Sequence, residues 1–438
     1  MKCRFFVLIG IVCLFMAVFT TRPAQAQTFD TLYTFTGYPD GANPWNDLLL
    51  DVNGTLYGTT SIGGVNGCGT VYKLDSKGKE TVLYSFTGGA DGCFPQSNVL
   101  QDWQGNLYGV ALFGGNLTAT NCIDDGGCGT LFKLDKKGNF TVLYTFTGGA
   151  DGNIPQGLNM DWAGDLYGIT LNGGDLKCPI AETPPGCGVV YKVDTSGKFT
   201  VLHTFTGGAD GGVPNDYLTL DLAGNIYGVT FVGGNTADCS ESGCGTVFKL
   251  DQKGKLTTLH TFTGTDGAEP EGPLVLDLWG NLYGATTNGG DLTCNAPNGC
   301  GVVYKLTTAG KYSLLHTFTG TPDGAEPPMG LIGDLFGNLY GVTEQGGNSA
   351  DCTWGIGFTP PNPPGCGTVF KLDAWGHETV LYSFTGSVDG AYPGSTPIMD
   401  WQGNLYGNTL YGGDFGCFNE GIFAAEGCGV VYKLSPGR

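Results

Sequence analysis

The chain has 438 residues, 78 of them glycine, and carries 20 Lys and Arg against 40 Asp and Glu, a formal net charge of −20. So acidic a surface repels nucleic acid and anionic membrane, and the sequence offers no basic patch, Walker loop or dinucleotide fingerprint. No stretch beyond the N-terminus sustains a 3.6-residue apolar period, which excludes a helical domain.

Residues 1–26 read as a secretory signal. Lys2 and Arg4 precede an apolar run from Phe5 to Phe19, and Ala24-Gln25-Ala26 supplies small residues for cleavage. The apolar run is short for a membrane span, and the segment Lys433 to Arg438 carries no second one. The mature chain is therefore expected to begin at Gln27, without membrane insertion, as a secreted or periplasmic monomer. Cys3 and Cys13 leave with the signal, and the 14 remaining of 16 cysteines make an even set in an exported chain, which predicts disulfides.

From Gln27 onward one unit recurs. Its fixed point is Gly-Asn-Leu-Tyr-Gly or a near copy, beginning at Gly54, Gly105, Gly164, Gly224, Gly280, Gly337 and Gly403, each three residues after an aspartate (Asp51 to Asp400). Asp-x-x-Gly bends the chain through an Asx-type hydrogen bond and a glycine at positive φ. In the second copy the pattern predicts strands at Gln96–Asp102, Asn106–Leu112, Thr130–Asp135 and Phe140–Thr147, joined by a tight turn, a variable loop ending in Gly127-Cys128-Gly129, and a second tight turn. Seven four-stranded antiparallel meanders predict an all-β, seven-bladed β-propeller occupying residues 27–438 as one domain.

The links fix the strand order. The passage Thr147 to Pro155 is irregular, so it steps between blades and the strand after it is innermost. Residues 29–36 then form an outermost strand with no inner strands before them, and Val430 to Leu434 form a third strand with nothing after it. The two ends are expected to complete one blade, residues 28–37 joining 394–434, and so to close the ring.

The units, as in Gly69-Thr70-Val71-Tyr72-Lys73-Leu74-Asp75 followed by Leu83-Tyr84-Ser85-Phe86-Thr87-Gly88, resemble the Gloeo-Verruco (GloVer) tandem repeat of exported bacterial proteins. The resemblance covers essentially the whole mature chain. It implies a secreted repeat protein, often with a C-terminal surface anchor, and assigns no activity to any residue.

Six variable loops hold a cysteine pair each: Cys122 with Cys128, Cys178 with Cys187, Cys239 with Cys244, Cys294 with Cys300, Cys352 with Cys366 and Cys417 with Cys428. The remaining two, Cys68 in a short loop and Cys93 in the passage to the second blade, open on one face and are expected to pair across blades. No Cys-x-x-Cys spacing supports zinc.

Four groups could carry chemistry. The passage aspartates Asp40, Asp91, Asp151, Asp210, Asp266, Asp323 and Asp389 either cap their own turns or ring the channel, where Asp266, Asp323 and Asp389 could help hold calcium or a polyhydroxylated ligand. Glu269 and Glu326 break the repeat in Asp-Gly-Ala-Glu-Pro and are candidates for acid and base in glycoside cleavage. Trp354, Phe358, Phe415, Phe418 and Phe423 concentrate apolar surface on the last two blades and suit a binding lip. Trp103, Trp162 and Trp401, beside tight turns, read as ordinary hydrophobic cover. The four histidines offer no triad or three-His metal site; His203, His260 and His316 take a slot that other copies fill with tyrosine.

Three functions follow in order of preference: a non-enzymatic binding module for an extracellular glycan, protein or other polymer, a polysaccharide hydrolase or lyase using carboxylates with or without calcium, and a structural envelope protein. Convergent aromatics without clustered carboxylates would favour the first. Two or more acidic side chains meeting in one pocket would favour the second.

Overall fold

The computed structural model describes residues 27–437, apart from 120, 123–125, 179–184, 235–238, 240–241, 349–351, 353–363 and 418–426. Seven antiparallel sheets follow one another around a ring as a seven-bladed β-propeller, six of them ordered by sequence from the axis outward and the last completed on its outside by the N-terminal strand. The third blade shows the full pattern: Asn153–Met160, Leu166–Asn172, Val189–Val193 and Phe199–Thr204.

The turn between first and second strands forms as the sequence dictates. Asp161 Oδ1 accepts from the backbone N–H groups of Ala163 and Asp165 at 2.9 and 3.0 Å, and Gly164 takes φ +87°. The Tyr167 hydroxyl then donates to Asp161 Oδ2 at 3.1 Å, tying the repeated tyrosine back to its turn. The glycine after that tyrosine has a different task. A Cβ on Gly168 would lie 2.4 Å from the Tyr191 hydroxyl, so the second strand must be bare where the third strand's aromatic ring crosses it.

Hydrophobic core fills the wedges between blades. Val110, Leu131 and Phe146 of the second blade pack on Leu158, Val189 and Tyr191 of the third. Phe146 meets Tyr191 edge-on at 5.3 Å, and Tyr144 stacks on Phe199 at 4.1 Å. Phe146 and Tyr191 are fully buried, and each such ring contributes on the order of 2 kcal/mol.

Closure is as the chain ends require. Thr28–Thr34 pairs with Val430–Ser435 from Thr28↔Ser435 to Thr34↔Val430, making the N-terminal segment the outer strand of the last blade. Phe35 is fully buried against Tyr72 of the first blade, ring centroids 5.0 Å apart.

The inner strands depart from expectation. They are long in the third, fourth and fifth blades (Asn153–Met160, Gly212–Leu220, Ala268–Leu276) but shrink to Leu100–Gln101 in the second, where the sequence predicts Gln96–Asp102. A hydroxyl replaces the ladder there. Ser97 Oγ accepts from Val110 N–H at 3.0 Å and donates to Val110 C=O at 3.3 Å, and Ser395 Oγ takes Asn408 N–H in the last blade.

All seven expected disulfides form, including Cys68–Cys93, whose Cα atoms are 4.7 Å apart.

Candidate functional site

The passage between blades positions the candidate carboxylates Asp266, Asp323, Asp389, Glu269 and Glu326. Its aspartate is occupied from within: Asp151 takes the Tyr144 hydroxyl at 3.0 Å, Thr147 N–H at 2.9 Å and Thr147 Oγ1–H at 2.5 Å. Asp266, Asp323 and Asp389 are engaged the same way, by His260, His316 and Tyr382 and by Thr263, Thr319 and Thr385. The histidines thus serve as the tyrosines do in other blades, each also meeting a phenylalanine edge-on at 4.8 Å.

Three residues after each aspartate the backbone enters the left-handed region. Asn43, Phe94, Ile154, Val213, Glu269, Glu326 and Tyr392 all have φ between 53° and 57°, each directly before a proline. For β-branched Ile154 and Val213 this costs about 1–3 kcal/mol. Two contacts with the preceding blade hold it. The N–H of Val213 donates to Cys187 C=O at 2.9 Å, and that of Glu269 to Cys244 C=O at 3.0 Å. The following proline packs on a Gly-Cys-Gly glycine, so that a Cβ on Gly245 would lie 2.6 Å from Pro270 Cδ. The loop base of one blade clamps the entry to the next.

Beyond the prolines the chain turns toward the axis and lines a cavity of about 310 Å³. Trp45, Asn46, Gln96, Gln156, Asp216, Tyr217, Phe231 and Glu271 contribute to its wall, from five blades. Asn46, 5 % exposed, leaves its Nδ2 without a protein partner, and Gln156 Oε1 has none either. Tyr217, 7 % exposed, lies beside the Asp47 carboxylate.

Carboxyl groups from four blades gather around Asp216 and Glu271 of this wall. Burial raises Glu271 well above the usual range, reinforced by the charges of Asp216, Glu344, Glu269 and Glu326. Burial and then Glu326 push Glu344 up to about 8, and burial and then Glu269 push Glu326 up to about 7. Asp47 rises to about 8 through burial and the Asp216 charge, against a 2.7 Å hydrogen bond from Thr396 N–H. Asp216 rises to about 7 by burial, opposed by Gly272 N–H. Glu269 is raised by burial and partly relieved by Asn288 Nδ2, while Glu326 accepts from Asn295 Nδ2 at 2.6 Å and from Gln345 Nε2. Burial thus favours the neutral form, able to donate as well as accept, most clearly at Asp47 and Glu344, which rise to about 8. Among the described residues no three His, Cys, Asp or Glu side chains are grouped as metal ligands.

Of the residues singled out from sequence, Glu269 and Glu326 enter this cluster, on neighbouring blades and within reach of each other's charge. Asp47, Asp216, Glu271 and Glu344 were missed. The first three lie within three residues after a passage proline, where the repeat is least regular, and Glu344 directly follows the second strand Leu339–Thr343. Phe415 is about half exposed, while Trp354, Phe358, Phe418 and Phe423 lie outside the described residues. Trp103, Trp162 and Trp401 are not cover: they are 91, 96 and 91 % exposed, because the tight turn points that position straight out of the blade.

Fold and cavity define a disulfide-stabilised seven-bladed propeller with an acidic axial site. The sequence matches the Gloeobacter/Verrucomicrobia repeat over residues 17–181 and 180–355, and the chain belongs to that family. No curated protein matches it. Among solved structures it is similar to the extracellular domain of a hybrid two-component system from B. thetaiotaomicron, with 12 % identity and a TM-score of 0.52 over 94 % of this chain and 41 % of that one. The extracellular domain of a one-component system from the same organism gives 13 %, 0.52, 94 % and 42 %. The chain thus spans about two fifths of those proteins, and at such identity the likeness is one of fold.

Proposed function

We propose that this is a secreted binding module whose axial cavity takes part of a neutral, polyhydroxylated ligand such as a glycan. The observation that carries the reading is the meeting of unsatisfied amide groups, Asn46 Nδ2 and Gln156 Oε1, with the Asp216 and Glu271 carboxyls, both raised by burial, and the rings of Trp45, Tyr217 and Phe231 in one cavity. Neutral carboxyls and amides both donate and accept, as sugar hydroxyls do, and aromatic faces suit sugar rings. At about 310 Å³ the cavity is at the small end of ligand sites, about 300–1,000 Å³, so it fits one end or one unit of a polymer. Seven disulfides accord with an oxidising compartment outside the cytoplasm.

A second reading is favoured by the meeting of carboxyls itself. Glycoside cleavage needs one protonated and one ionised carboxyl, and Glu269 and Glu326 lie on neighbouring blades, with the Glu269 charge helping burial to raise Glu326. One experiment addresses both: calorimetric binding and product release against a polysaccharide panel, with and without EDTA. Binding without release, weakened at least about tenfold by Glu271→Gln, supports the module. Release abolished by Glu326→Gln assigns catalysis, and loss with EDTA assigns calcium to the site. No binding to any member would sink the first reading.

A further inference from the structure

The face opposite the variable loops carries a feature that the fold does not require. In each blade the residue after the turn aspartate is large and apolar, and it stands in solvent: Val52, Leu222, Leu278 and Leu335 are 94–101 % exposed, like Trp103, Trp162 and Trp401. Trp279, Phe336 and Trp375 on the same face are 79–85 % exposed. Single exposed apolar residues are ordinary. Here, however, one slot of the repeat is apolar in all seven blades, and equivalent turns of a closed ring lie at one radius and one height. The turn is held by its aspartate through backbone donors, as Asp102 holds Gln104 and Asn106 N–H at 2.9 Å, so any polar residue would satisfy the slot.

Charge is segregated toward the same face. After residue 26 every lysine except Lys177 sits at this end of the blades. Some are on the outer turns, such as Lys77, Lys137 and Lys253. Others are near the end of the third strand, such as Lys133 and Lys305, whose ammonium groups lie 5.4 and 5.0 Å from the rings of Tyr108 and Tyr283. These cations offset the turn aspartates, while the loop face and axial cavity hold the carboxylate excess. The strongly negative whole-molecule charge therefore conceals one face that anionic surfaces do not repel.

We propose that this turn face docks peripherally on a lipid bilayer, the coplanar apolar tips entering the headgroup region and the lysines meeting anionic headgroups around them. A bilayer fits better than a glycan because four of the seven tips are aliphatic and offer no flat ring to a sugar, whereas Trp and Leu above lysines are the composition of interfacial anchors. Between Trp103 and Trp162 a groove of about 640 Å³ opens outward and could admit lipid headgroups.

The test uses the mature chain with sedimenting vesicles of phosphatidylcholine alone and of phosphatidylcholine with phosphatidylglycerol. The wild type should sediment with the vesicles, more so with phosphatidylglycerol, and its tryptophan emission should shift to the blue. The triple variant Trp103→Asn, Trp162→Asn, Trp401→Asn should lose binding by at least about tenfold, as should Leu222→Gln with Leu335→Gln, with unchanged circular dichroism. Glu271→Gln should sediment as the wild type does, which separates this surface from the axial cavity. Failure to sediment with either vesicle, or equal binding by both variants, overturns the proposal. So does a dimer in lipid-free solution that the variants dissolve, which gives the face to a second copy, or binding to polysaccharide that the triple tryptophan variant loses and Glu271→Gln retains, which gives it to a glycan.

Discussion

Single residues in this propeller can be judged against their own copies. Tyr72, Tyr191, Tyr304 and Tyr432 are fully buried with hydroxyls that find no partner, in a slot that Phe132, Phe248 and Phe370 fill in other blades. Tyr191→Phe is therefore expected to leave the melting temperature unchanged or to raise stability by up to about 1 kcal/mol, as scanning calorimetry would read. At the strained passage position, Asn43 shares the left-handed backbone of Val213 and donates from Nδ2 to Leu410 C=O at 2.9 Å. Asparagine tolerates that region and valine does not, so Val213→Asn should stabilise by about 1 kcal/mol in urea unfolding; a loss instead would mean that the valine's packing outweighs its strain. The axial carboxyls set a pH dependence. Their folded pKa values are raised, Asp216 to about 7 and Asp47 and Glu344 to about 8, so the folded state binds the protons more tightly. Their contribution is complete below the unfolded value near 4 and declines as pH rises toward about 8. Thermal midpoints should fall between about pH 5 and pH 8.5 for this reason, and Glu344→Gln should flatten the slope. Asp210, Asp266 and Asp323 are lowered despite burial, by hydrogen bonds from histidine and threonine, and act oppositely: their stabilisation is lost only as pH falls below about 4.

At the level of strands and loops, the seven disulfides are not equivalent. Six close loops within one blade, with separations of 5 to 14 residues, whereas Cys68–Cys93 spans 25 residues and ties the first blade's loop to the passage into the second. Chain entropy gives the longer closure about 3 kcal/mol, with a further effect because the wedge it spans can then open. Replacing Cys68 and Cys93 by serine should lower the melting temperature more than the same change at Cys122 and Cys128. Equal losses would show that the cross-blade tie adds nothing. The blade pattern itself was readable from the chain because turns and strands obey local rules, as with Asp161 and Gly164. The shortened inner strands were not. Whether Ser97 spends its hydroxyl on Val110 depends on how the neighbouring strand lies, and no periodicity in Gln96 to Asp102 encodes it.

For the whole molecule, ring closure is the decisive contact. The segment before Gly37 supplies the outer strand of the last blade, stacks Phe29 on Tyr382 at 4.1 Å and seals Phe35 against Tyr72. Loss of a buried phenylalanine costs about 3–5 kcal/mol on its own, and loss of the strand also bares the edge at Val430–Ser435. A chain starting at Gly37 should therefore aggregate or melt well below the intact one in gel filtration and circular dichroism; a monomer of unchanged stability would contradict closure through this strand. The sequence by itself determined the number of blades, their turns, the cysteine pairing and the meeting of the two ends. Each follows from residues close in the chain or from a repeat that places equivalents by symmetry. Only tertiary structure decided that Asp47, Asp216, Glu271 and Glu344 converge while Asp266, Asp323 and Asp389 bond within their own blades, and that Trp103, Trp162 and Trp401 stand uncovered. Convergence at an axis joins positions from separate blades, and exposure depends on what lies above a side chain; neither distance nor cover is written along a strand.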